Sequence, residues 1–248
     1  MTRPESADGV LSRAVRLLEC FDARSSELTV TDLSRRAGLP LSTTSRMVAE
    51  LSRHGLLARS EDGRKVRVGV RLWELGSRAA PTRGLREAAL PFMEDLHAVV
   101  GHHIQLGVLE GREVLFLERL SAREAVVNVT EVAGRLPLHA SSAGLVLLAH
   151  APADVQQTVL SEPLRRFTAA TITSPEQLRT TLAEIRRVGH IHTPGHIREA
   201  AAGVAVPVRG RGEHVVAALS VVVPNEELAI RTVPALHAAA HGIHRAMS

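Results

Sequence analysis

Hydrophobic positions recur at helical spacing through much of the first eighty residues. Apolar residues fall at 10, 11, 14, 17, 18 and 21, at 30, 33 and 37, and at 47, 48 and 51. Spacings of three and four residues place side chains on one face of a helix. The pattern therefore predicts an amphipathic helix over 10–21 and two shorter helices over 30–37 and 42–54.

The boundary between the two short helices carries stop and start signals. Thr29 or Thr31 can cap the first helix, because a side-chain oxygen accepts a hydrogen bond from an orphan backbone N–H. Gly38 favours the left-handed conformation that ends a helix, and Pro40 cannot continue one. Ser42 is predicted to cap the second helix. Two helices joined by a tight turn are typical of the helix-turn-helix unit.

Short β-type runs follow directly. Residues 56–59 and 66–68 are separated by a stretch that includes Ser-Glu-Asp-Gly, a sequence that favours a hairpin turn. A hairpin directly after a helix-turn-helix predicts a wing, with Arg64 and Lys65 near its tip.

The second short helix predicts a DNA-binding surface. Its N-terminal end presents hydroxyls and an arginine, groups that bind phosphates and base edges in the major groove. We expect Arg46 to contact guanine, whereas Arg35 and Arg36 could clamp phosphate or form only a solvated face. The alternative for the whole stretch is an ordinary helical hairpin with a polar face. The predicted DNA-binding residues are Arg35, Arg36, Ser42, Thr43, Thr44, Ser45, Arg46, Arg64 and Lys65.

Residues 70–80 continue as an amphipathic segment. Leu72, Trp73 and Leu75 make it too apolar for a solvated linker, so we predict a helix that buries them against a partner subunit. The alternative is a spacer packed on its own domain. Pro81 marks the boundary. The predicted parts are a winged helix-turn-helix domain over 1–69, a linker helix over 70–81 and a second domain over 82–248.

The second domain mixes helical and β-type patterns. Antiparallel strands with flanking helices make an α+β fold. A final helix is predicted from Asn225 to near Ala246, with an interruption at Pro234. The other predicted helices cover 85–100, 142–149, 152–160 and 174–187, and the predicted strands cover 103–109, 113–118, 126–130, 204–208 and 214–223.

The net charge belongs to the first eighty residues. They hold 14 Arg and Lys against 10 Asp and Glu, a net charge of +4, whereas residues 81–248 hold 16 of each. This local excess favours a polyanionic partner for the first segment. No run of 18 apolar residues occurs, and the single cysteine, Cys20, excludes an internal disulfide. We therefore expect a cytoplasmic protein without a membrane partner.

From Val10 to about Pro224 the chain resembles IclR-type bacterial transcriptional regulators. The resemblance rests on the order and spacing of several stretches, among them Leu-Pro-Leu-Ser-Thr-Thr-Ser-Arg at 39–46 and Gly-Arg-Leu-Pro-Leu-His-Ala at 134–140. It implies a homodimer or homotetramer that binds a palindromic operator in double-stranded DNA. It also implies a GAF-like C-terminal domain that binds a small-molecule effector, and it favours a repressor over an activator.

The resemblance also implies effector-binding residues, between the helix after Leu-Pro-Leu-His and the central sheet. Thr193 stands where some members have an acidic residue, Gly203 replaces a frequent cysteine, and Val222 replaces a frequent serine. Fewer polar anchors predict a less polar or bulkier effector than a small oxyacid. The matching positions are Ser141, Ser142, Gly144, Leu145, Thr193, Gly203, Ser220 and Val222.

The main alternative interpretation of the sequence is an enzyme. No Gly-x-Ser-x-Gly elbow occurs, and Gly-Arg-Gly at 210–212 lacks the third glycine of a dinucleotide loop, so we expect neither catalysis nor a cofactor. Histidines at 190, 192 and 196 and at 237, 241 and 244 resemble metal clusters, but without a cysteine or a His-Glu-x-x-His motif. The alternatives that remain are a metal-binding, enzyme-like C-terminal domain and a DNA-binding oligomerisation module without a ligand.

Overall fold

The computed structural model of the chain describes residues 9–22, 25–76, 80–122, 132–224 and 226–247, and its contacts separate Met1–Ala80 from Pro81–Ser248. The strand predicted over 126–130 lies outside the described residues. The two units are described separately below.

The first unit is a winged helix-turn-helix. Its three strands form an antiparallel sheet in the order β1-β3-β2. Leu17, Leu33, Val48, Leu57 and Val66 form its buried core. The elements are α1 (Val10–Leu18), β1 (Glu27–Thr29), α2 (Val30–Ala37), α3 (Leu41–Arg53), β2 (Leu57–Arg59), β3 (Lys65–Val68) and α4 (Val70–Gly76).

The turn between α2 and α3 follows most of the predicted signals. The Thr29 side chain accepts a hydrogen bond from Asp32 N, and Gly38 ends α2 with a φ of 64°. The predicted cap at Ser42 is wrong. The Pro40 carbonyl accepts a hydrogen bond from Thr44 N, so α3 begins at Leu41 and Pro40 is its N-cap, without a side-chain cap bond. The first N–H groups of α3 are therefore left for an external acceptor.

The predicted hairpin is confirmed, and a strand joins it that the sequence did not predict. Within the tip, the Ser60 hydroxyl donates to Asp62 Oδ1 at 2.6 Å, and Gly63 has a φ of 68°. Strand β1 adds to the other edge of β3, with Leu28 opposite Val66. Three residues are too few for a visible alternation, so β1 gave no signal of its own.

The second unit is an α+β domain built on a six-stranded antiparallel sheet, in the order β6-β5-β4-β9-β8-β7. Its helices are α5 (Ala80–Val100), α6 (Ser142–His150), α7 (Ala153–Ser161), α8 (Pro175–Val188) and α9 (Glu226–Met247). Its strands are β4 (His103–Glu110), β5 (Glu113–Leu120), β6 (Arg135–Pro137), β7 (Ile191–Pro194), β8 (Ala202–Arg209) and β9 (Val215–Val223).

Helices cover both faces of this sheet. Val204 and Val206 on β8 join the core under α5 and α9, whereas Ala205 between them joins the core under α6, α7 and α8. This is the period-two alternation of a strand that is buried on both sides. Each face of the sheet therefore packs against its own set of helices and has its own hydrophobic core. The site described below lies on the face that α6 covers.

Helix ends in the second unit agree with the sequence at α8 and disagree at α9. Ser174 caps α8, Pro175 is its first residue, and Gly189 ends it with a φ of 80°. The interruption predicted at Pro234 is wrong, because α9 runs continuously from Glu226 to Met247. Leu236 and Ile243 are fully buried against the sheet. Their packing offsets the hydrogen bond that proline removes.

Buried histidines make the second unit sensitive to mild acid. Burial is the largest cause that lowers the pKa of His139, His150, His196 and His237 below 6.5. Below about pH 6.5 the unfolded chain therefore binds protons that the folded chain does not. The contribution of these neutral histidines to the free energy of unfolding should be complete above that pH and should decrease as the pH falls below it. We therefore expect a lower calorimetric melting temperature at pH 5.5 than at pH 7.5.

The variant His139→Gln provides the control for this acid effect. His139 Nε2 lies 2.9 Å from Arg165 O, and a glutamine amide can donate to that carbonyl without titrating. The fall in melting temperature should be smaller in the variant. A melting temperature that is constant over the same range would contradict the prediction.

Candidate functional site

A cavity lies between the N-terminal end of α6 and the adjacent face of the large sheet. About 500 Å³ between its walls is free of protein atoms, a volume that includes open solvent. The second unit builds the cavity from all six strands of the sheet, one helix end and one loop. It is lined by Gln105, Phe116, Leu136, Ser141, Ser142, Ala143, Thr193, His196, Ile197, Arg198, Ala201, Gly203, Ser220 and Val222.

The strand register forms the floor of the cavity. Thr193 pairs with Gly203, which pairs with Val222, so these three positions lie in one row across β7, β8 and β9. Ser220, two residues from Val222, pairs with Gln105 on β4. Positions that pair directly point to the same face, as do positions two apart on one strand. One contiguous floor therefore carries polar and apolar positions side by side.

Two hydroxyls converge over the bare backbone of Gly203. A Cβ atom at this position would lie 2.8 Å from both Ser142 Oγ and Thr193 Oγ1. Thr193 Oγ1 also donates to Gly203 O at 3.1 Å. The missing side chain lets α6 and β7 bring their hydroxyls to one point.

The end of the cavity beside α6 suits an anion. Ser141 caps the helix by accepting from Gly144 N at 3.0 Å. The other N–H groups of the first turn have no intrahelical acceptor and carry partial positive charge. Ser220 is only 1% exposed, and its hydroxyl has no hydrogen-bond partner among the described residues. An unpaired buried hydroxyl costs about 1–3 kcal/mol, which a bound acceptor would recover.

The remaining walls are mainly apolar. Phe116, Leu136 and Ile197 line the cavity, and Phe116 is 1% exposed. The loop after β7 forms another wall. Its backbone is held by two hydrogen bonds: Thr168 Oγ1 donates to Gly195 O, and Thr171 Oγ1 donates to His196 O, each at 2.6 Å. The cavity thus combines a polar end with an apolar body, as small-molecule sites commonly do.

The structure places six of the eight predicted effector positions on the cavity wall, namely Ser141, Ser142, Thr193, Gly203, Ser220 and Val222. Gly144 and Leu145 are buried inside α6 and do not line the cavity. Sequence reasoning missed Gln105, His196 and Arg198. Gln105 had a signal, because it interrupts an apolar strand, whereas the two loop residues had none.

The exposed face of α3 differs from the predicted one at Thr44. Thr44 is fully buried, and its Oγ1 donates to Pro40 O at 3.2 Å. It stabilises the start of α3 and cannot reach a groove, so its prediction as a DNA contact is wrong. Ser42, Ser45 and Arg46 are exposed, and Thr43 is half-buried.

The arginines of α2 have contacts within the first unit. Arg35 forms an ion pair with Asp32 at 2.7 Å. Arg36 donates to Cys20 O at 3.1 Å and to Ser25 Oγ at 3.0 Å, which ties α2 to the segment after α1. In the wing, Lys65 lies 3.6 Å from Glu27. For Arg36 this geometry favours a structural role, which is neither the phosphate clamp nor the solvated face that the sequence left open.

The histidine-rich stretches do not assemble a metal centre in the described part of the chain. There, no three or more His, Cys, Asp or Glu residues come together as a possible metal site. His190 and His237 meet edge to face with ring centroids 5.9 Å apart, and His244 Nδ1 lies 3.0 Å from Arg209 O. Across the same described residues, no helix is long and apolar enough to cross a membrane.

Comparison with protein families gives two adjacent matches. The model of the IclR helix-turn-helix domain matches residues 10–61, and that of the Bacterial transcriptional regulator IclR C-terminal domain matches residues 78–248. The HTH-type transcriptional regulator XynR of Escherichia coli K12 is 31% identical over 211 residues, covering 85% of this chain and 84% of XynR. The Transcriptional repressor IclR of the same organism is 27% identical, covering 73% and 67%.

Solved structures show the same two-part architecture. An IclR homolog from Microbacterium hydrocarbonoxydans, complexed with 4-hydroxybenzoate, is 50% identical with a TM-score of 0.92, and the match covers 96% of this chain and 99% of that one. A putative transcriptional regulator from Rhodococcus sp. RHA1 is 27% identical with a TM-score of 0.81, covering 96% and 97%.

Gly144 tests how closely α6 must approach the segment before it. A Cβ atom at Gly144 would lie 2.5 Å from Leu138 O. Gly144→Ala should therefore lower the free energy of unfolding by about 1–3 kcal/mol, the usual cost of overpacking, although alanine is the better helix former. Urea denaturation measures this directly.

The matched control is Gly84→Ala in α5, where nothing lies within 4 Å of the added methyl group. It should leave stability unchanged or raise it by up to about 1 kcal/mol. Equal effects of the two substitutions would rule out close approach at Leu138 as the reason for a glycine at 144.

Proposed function

The chain belongs to the IclR family of bacterial transcriptional regulators, and from this premise we propose that it binds its operator under the control of an aromatic acid effector. The coarse function is that of a DNA-binding transcriptional regulator with a C-terminal ligand-binding domain. The observation that carries the proposal is the cavity beside α6, with its anion-suited end and apolar body.

The effector carboxylate lies at the α6 end of this cavity. There it accepts hydrogen bonds from the first-turn N–H groups of α6 and from the hydroxyls of Ser142 and Ser220. The site holds the anion mainly with neutral donors, so it needs the helix end to stabilise the charge. Arg198, an exposed residue that lines the cavity, adds a positive charge.

An aromatic ring of the effector fills the apolar part of the cavity. Phe116, Leu136, Ile197 and Val222 supply apolar contact of the kind that a ring requires. A two- or three-carbon oxyacid would leave these walls uncovered. The bound 4-hydroxybenzoate of the 50% identical Microbacterium homolog supports the same class of ligand for this chain. We therefore assign a hydroxylated benzoate, or an aromatic acid of similar size, as the effector.

The operator is contacted by α3 and the wing. Arg46 is exposed at the N-terminal half of α3 and has no ion-pair partner among the described residues, so its guanidinium is free to bind guanine O6 and N7. Ser42 and Ser45 are exposed beside it and suit phosphate or base edges. Arg64 at the wing tip binds the backbone.

The active form is a homodimer or homotetramer on a palindromic site. In the first unit, α1 leaves Val10, Leu11 and Val15 more than half exposed. On α4, Val70 is 71% exposed and Trp73 is 73% exposed. Apolar surface of this kind on a small domain marks an interaction site, and a second copy of the same chain is the occupant that symmetric half-sites require.

Repression is the sign of regulation that we propose. The E. coli Transcriptional repressor IclR matches most of this chain, and its name supports that sign. The proposed function also places the protein in the cytoplasm, where the operator is. It requires neither a catalytic residue nor a metal ion.

Effector class is tested by binding to the purified full chain. 4-Hydroxybenzoate should raise the melting temperature in proportion to the logarithm of its concentration, because only the folded state binds. Glyoxylate, which lacks a ring, should bind at least tenfold more weakly in isothermal titration. Tight binding of glyoxylate alone would overturn the aromatic assignment.

A cavity variant assigns that binding to the proposed site. Gly203→Ala should weaken 4-hydroxybenzoate binding by at least tenfold, because its Cβ falls on the point where Ser142 and Thr193 converge. Gly84→Ala, outside the cavity, should bind like the wild type. Wild-type affinity in Gly203→Ala would move the ligand to another site.

DNA recognition is tested by footprinting on DNA upstream of the protein's own gene, over a salt series. Arg46→Ala should cost roughly 1–3 kcal/mol of operator binding and relax sequence preference. Arg64→Ala should weaken all sequences alike and reduce the salt slope by about 1.

Arg231→Ala, an exposed α9 arginine paired with Glu227, is the charge-matched control and should bind like the wild type. An Arg46→Ala protein that keeps its full sequence preference would remove that residue from base recognition.

A further inference from the structure

His196 is the one imidazole on the wall of the effector cavity among the described residues. It follows β7 and lies between Gly195, which turns the chain with a φ of 71°, and the apolar Ile197. The sequence suggested only that it belongs to a possible metal-binding cluster, which does not form among the described residues. Its position on the wall requires another explanation.

The His196 side chain has an unused hydrogen-bonding atom. Its Nδ1 is buried and has no hydrogen-bond partner among the described residues. Leaving a buried polar atom unmatched is costly, so native structures usually supply a protein, water or ligand partner. Because His196 lines the cavity, a ligand that binds there meets its imidazole.

The backbone that carries His196 is held firmly. Thr171 Oγ1 donates to His196 O at 2.6 Å, and Thr168 Oγ1 donates to Gly195 O at 2.6 Å. Gly195 N in turn donates to Ala201 O at 2.9 Å. A side chain on such a fixed segment can select ligands by geometry, because it cannot follow a badly placed group.

His196 lies close in the chain to the polar end of the cavity. It is three residues beyond Thr193, so the two backbone positions are at most about 10 Å apart. This upper limit allows one substituted benzoate to contact both residues. The apolar Ile197 and Val222 lie on the wall with His196 and suit the ring.

The imidazole is in the protonation state that the role requires. Burial, and then the charge of His192, lower the pKa of His196 below its ordinary value. The ring is therefore neutral near pH 7, and one of its nitrogens can accept a hydrogen bond. A phenolic O–H is a suitable donor.

We propose that His196 is a specificity-determining residue, whose Nδ1 accepts a hydrogen bond from the ring hydroxyl of the effector. This assignment rests on the proposed function. It goes beyond it by selecting hydroxylated aromatic acids against the same acids without the hydroxyl. A site built to bond a hydroxyl rejects the analogue that lacks it, because a buried polar group is then left unmatched.

The test compares 4-hydroxybenzoate with benzoate by isothermal titration at pH 7.5, on the full-length protein. The wild type should bind 4-hydroxybenzoate at least tenfold more tightly. His196→Leu should lose that preference while binding benzoate at least as tightly as the wild type, because leucine leaves no buried nitrogen unmatched and the cavity stays intact. His196→Asn, which can place an amide group near the position of Nδ1, should recover part of the preference.

His241→Leu, an exposed histidine of α9 outside the cavity, is the matched control and should keep the full preference. An equal affinity of the wild type for the two acids, or an undiminished preference in His196→Leu, would overturn the role of His196 while the aromatic site stands. Binding of neither acid to the wild type would overturn the proposed function together with this inference.

Discussion

The architecture of the second unit depends on the alternation of side chains along β8 and β9. One set of positions must fill the core under α5 and α9, and the other must meet α6. Valines fill the first set, including Val204, Val206 and Val221, which are fully buried. On the other face Gly203 has no side chain, and Ser220 has a small polar one. Because the strands cannot shift register without exchanging their two faces, these small residues leave a cavity at a fixed place.

A cavity inside a protein loses dispersion contacts and is therefore costly unless something fills it. Here the free-energy cost of the empty cavity is increased by the Ser220 hydroxyl and His196 Nδ1, two buried atoms that have no hydrogen-bond partner among the described residues. Both penalties are recovered when a ligand with matching groups enters. The same residues that weaken the empty fold therefore supply affinity for the proposed effector, a common exchange between stability and function.

Most of the fold could be predicted from the sequence, because long periodic segments and the residues that begin and end helices are local signals. Ser174, Pro175 and Gly189 fix α8 through interactions within a few residues, so its bounds could be predicted nearly exactly from them. Pro234 gave the opposite result. Its local preference is to break a helix, and long-range packing of Leu236 and Ile243 overrides it. The short edge strands β1, β6 and β7 form only because a longer neighbour offers hydrogen bonds, which no local pattern records.

The candidate site residues show the same contrast between local signals and long-range structure. Floor positions such as Thr193, Gly203 and Ser220 came from a family resemblance, and the register explains why they lie together: neighbouring strands place them in adjacent rows. Thr44 shows the limit of reading composition along a helix. A hydroxyl in a run of hydroxyls looks like part of a polar face, yet its angular position directs it inward, where it bonds Pro40 O. Only the angle around α3 separates it from Ser45, and the periodicity already contained that information.

Recognition of the ring hydroxyl is the element that no sequence pattern could have supplied. It depends on a loop whose shape is set by two threonines, Thr168 and Thr171, more than twenty residues away in the chain. Each hydroxyl fixes a carbonyl, and together they determine where the imidazole of His196 stands. Selectivity for a substituent only a few ångströms from the carboxylate thus depends on a segment that touches neither group. Variation in that segment among related regulators would alter effector choice while leaving the carboxylate end unchanged.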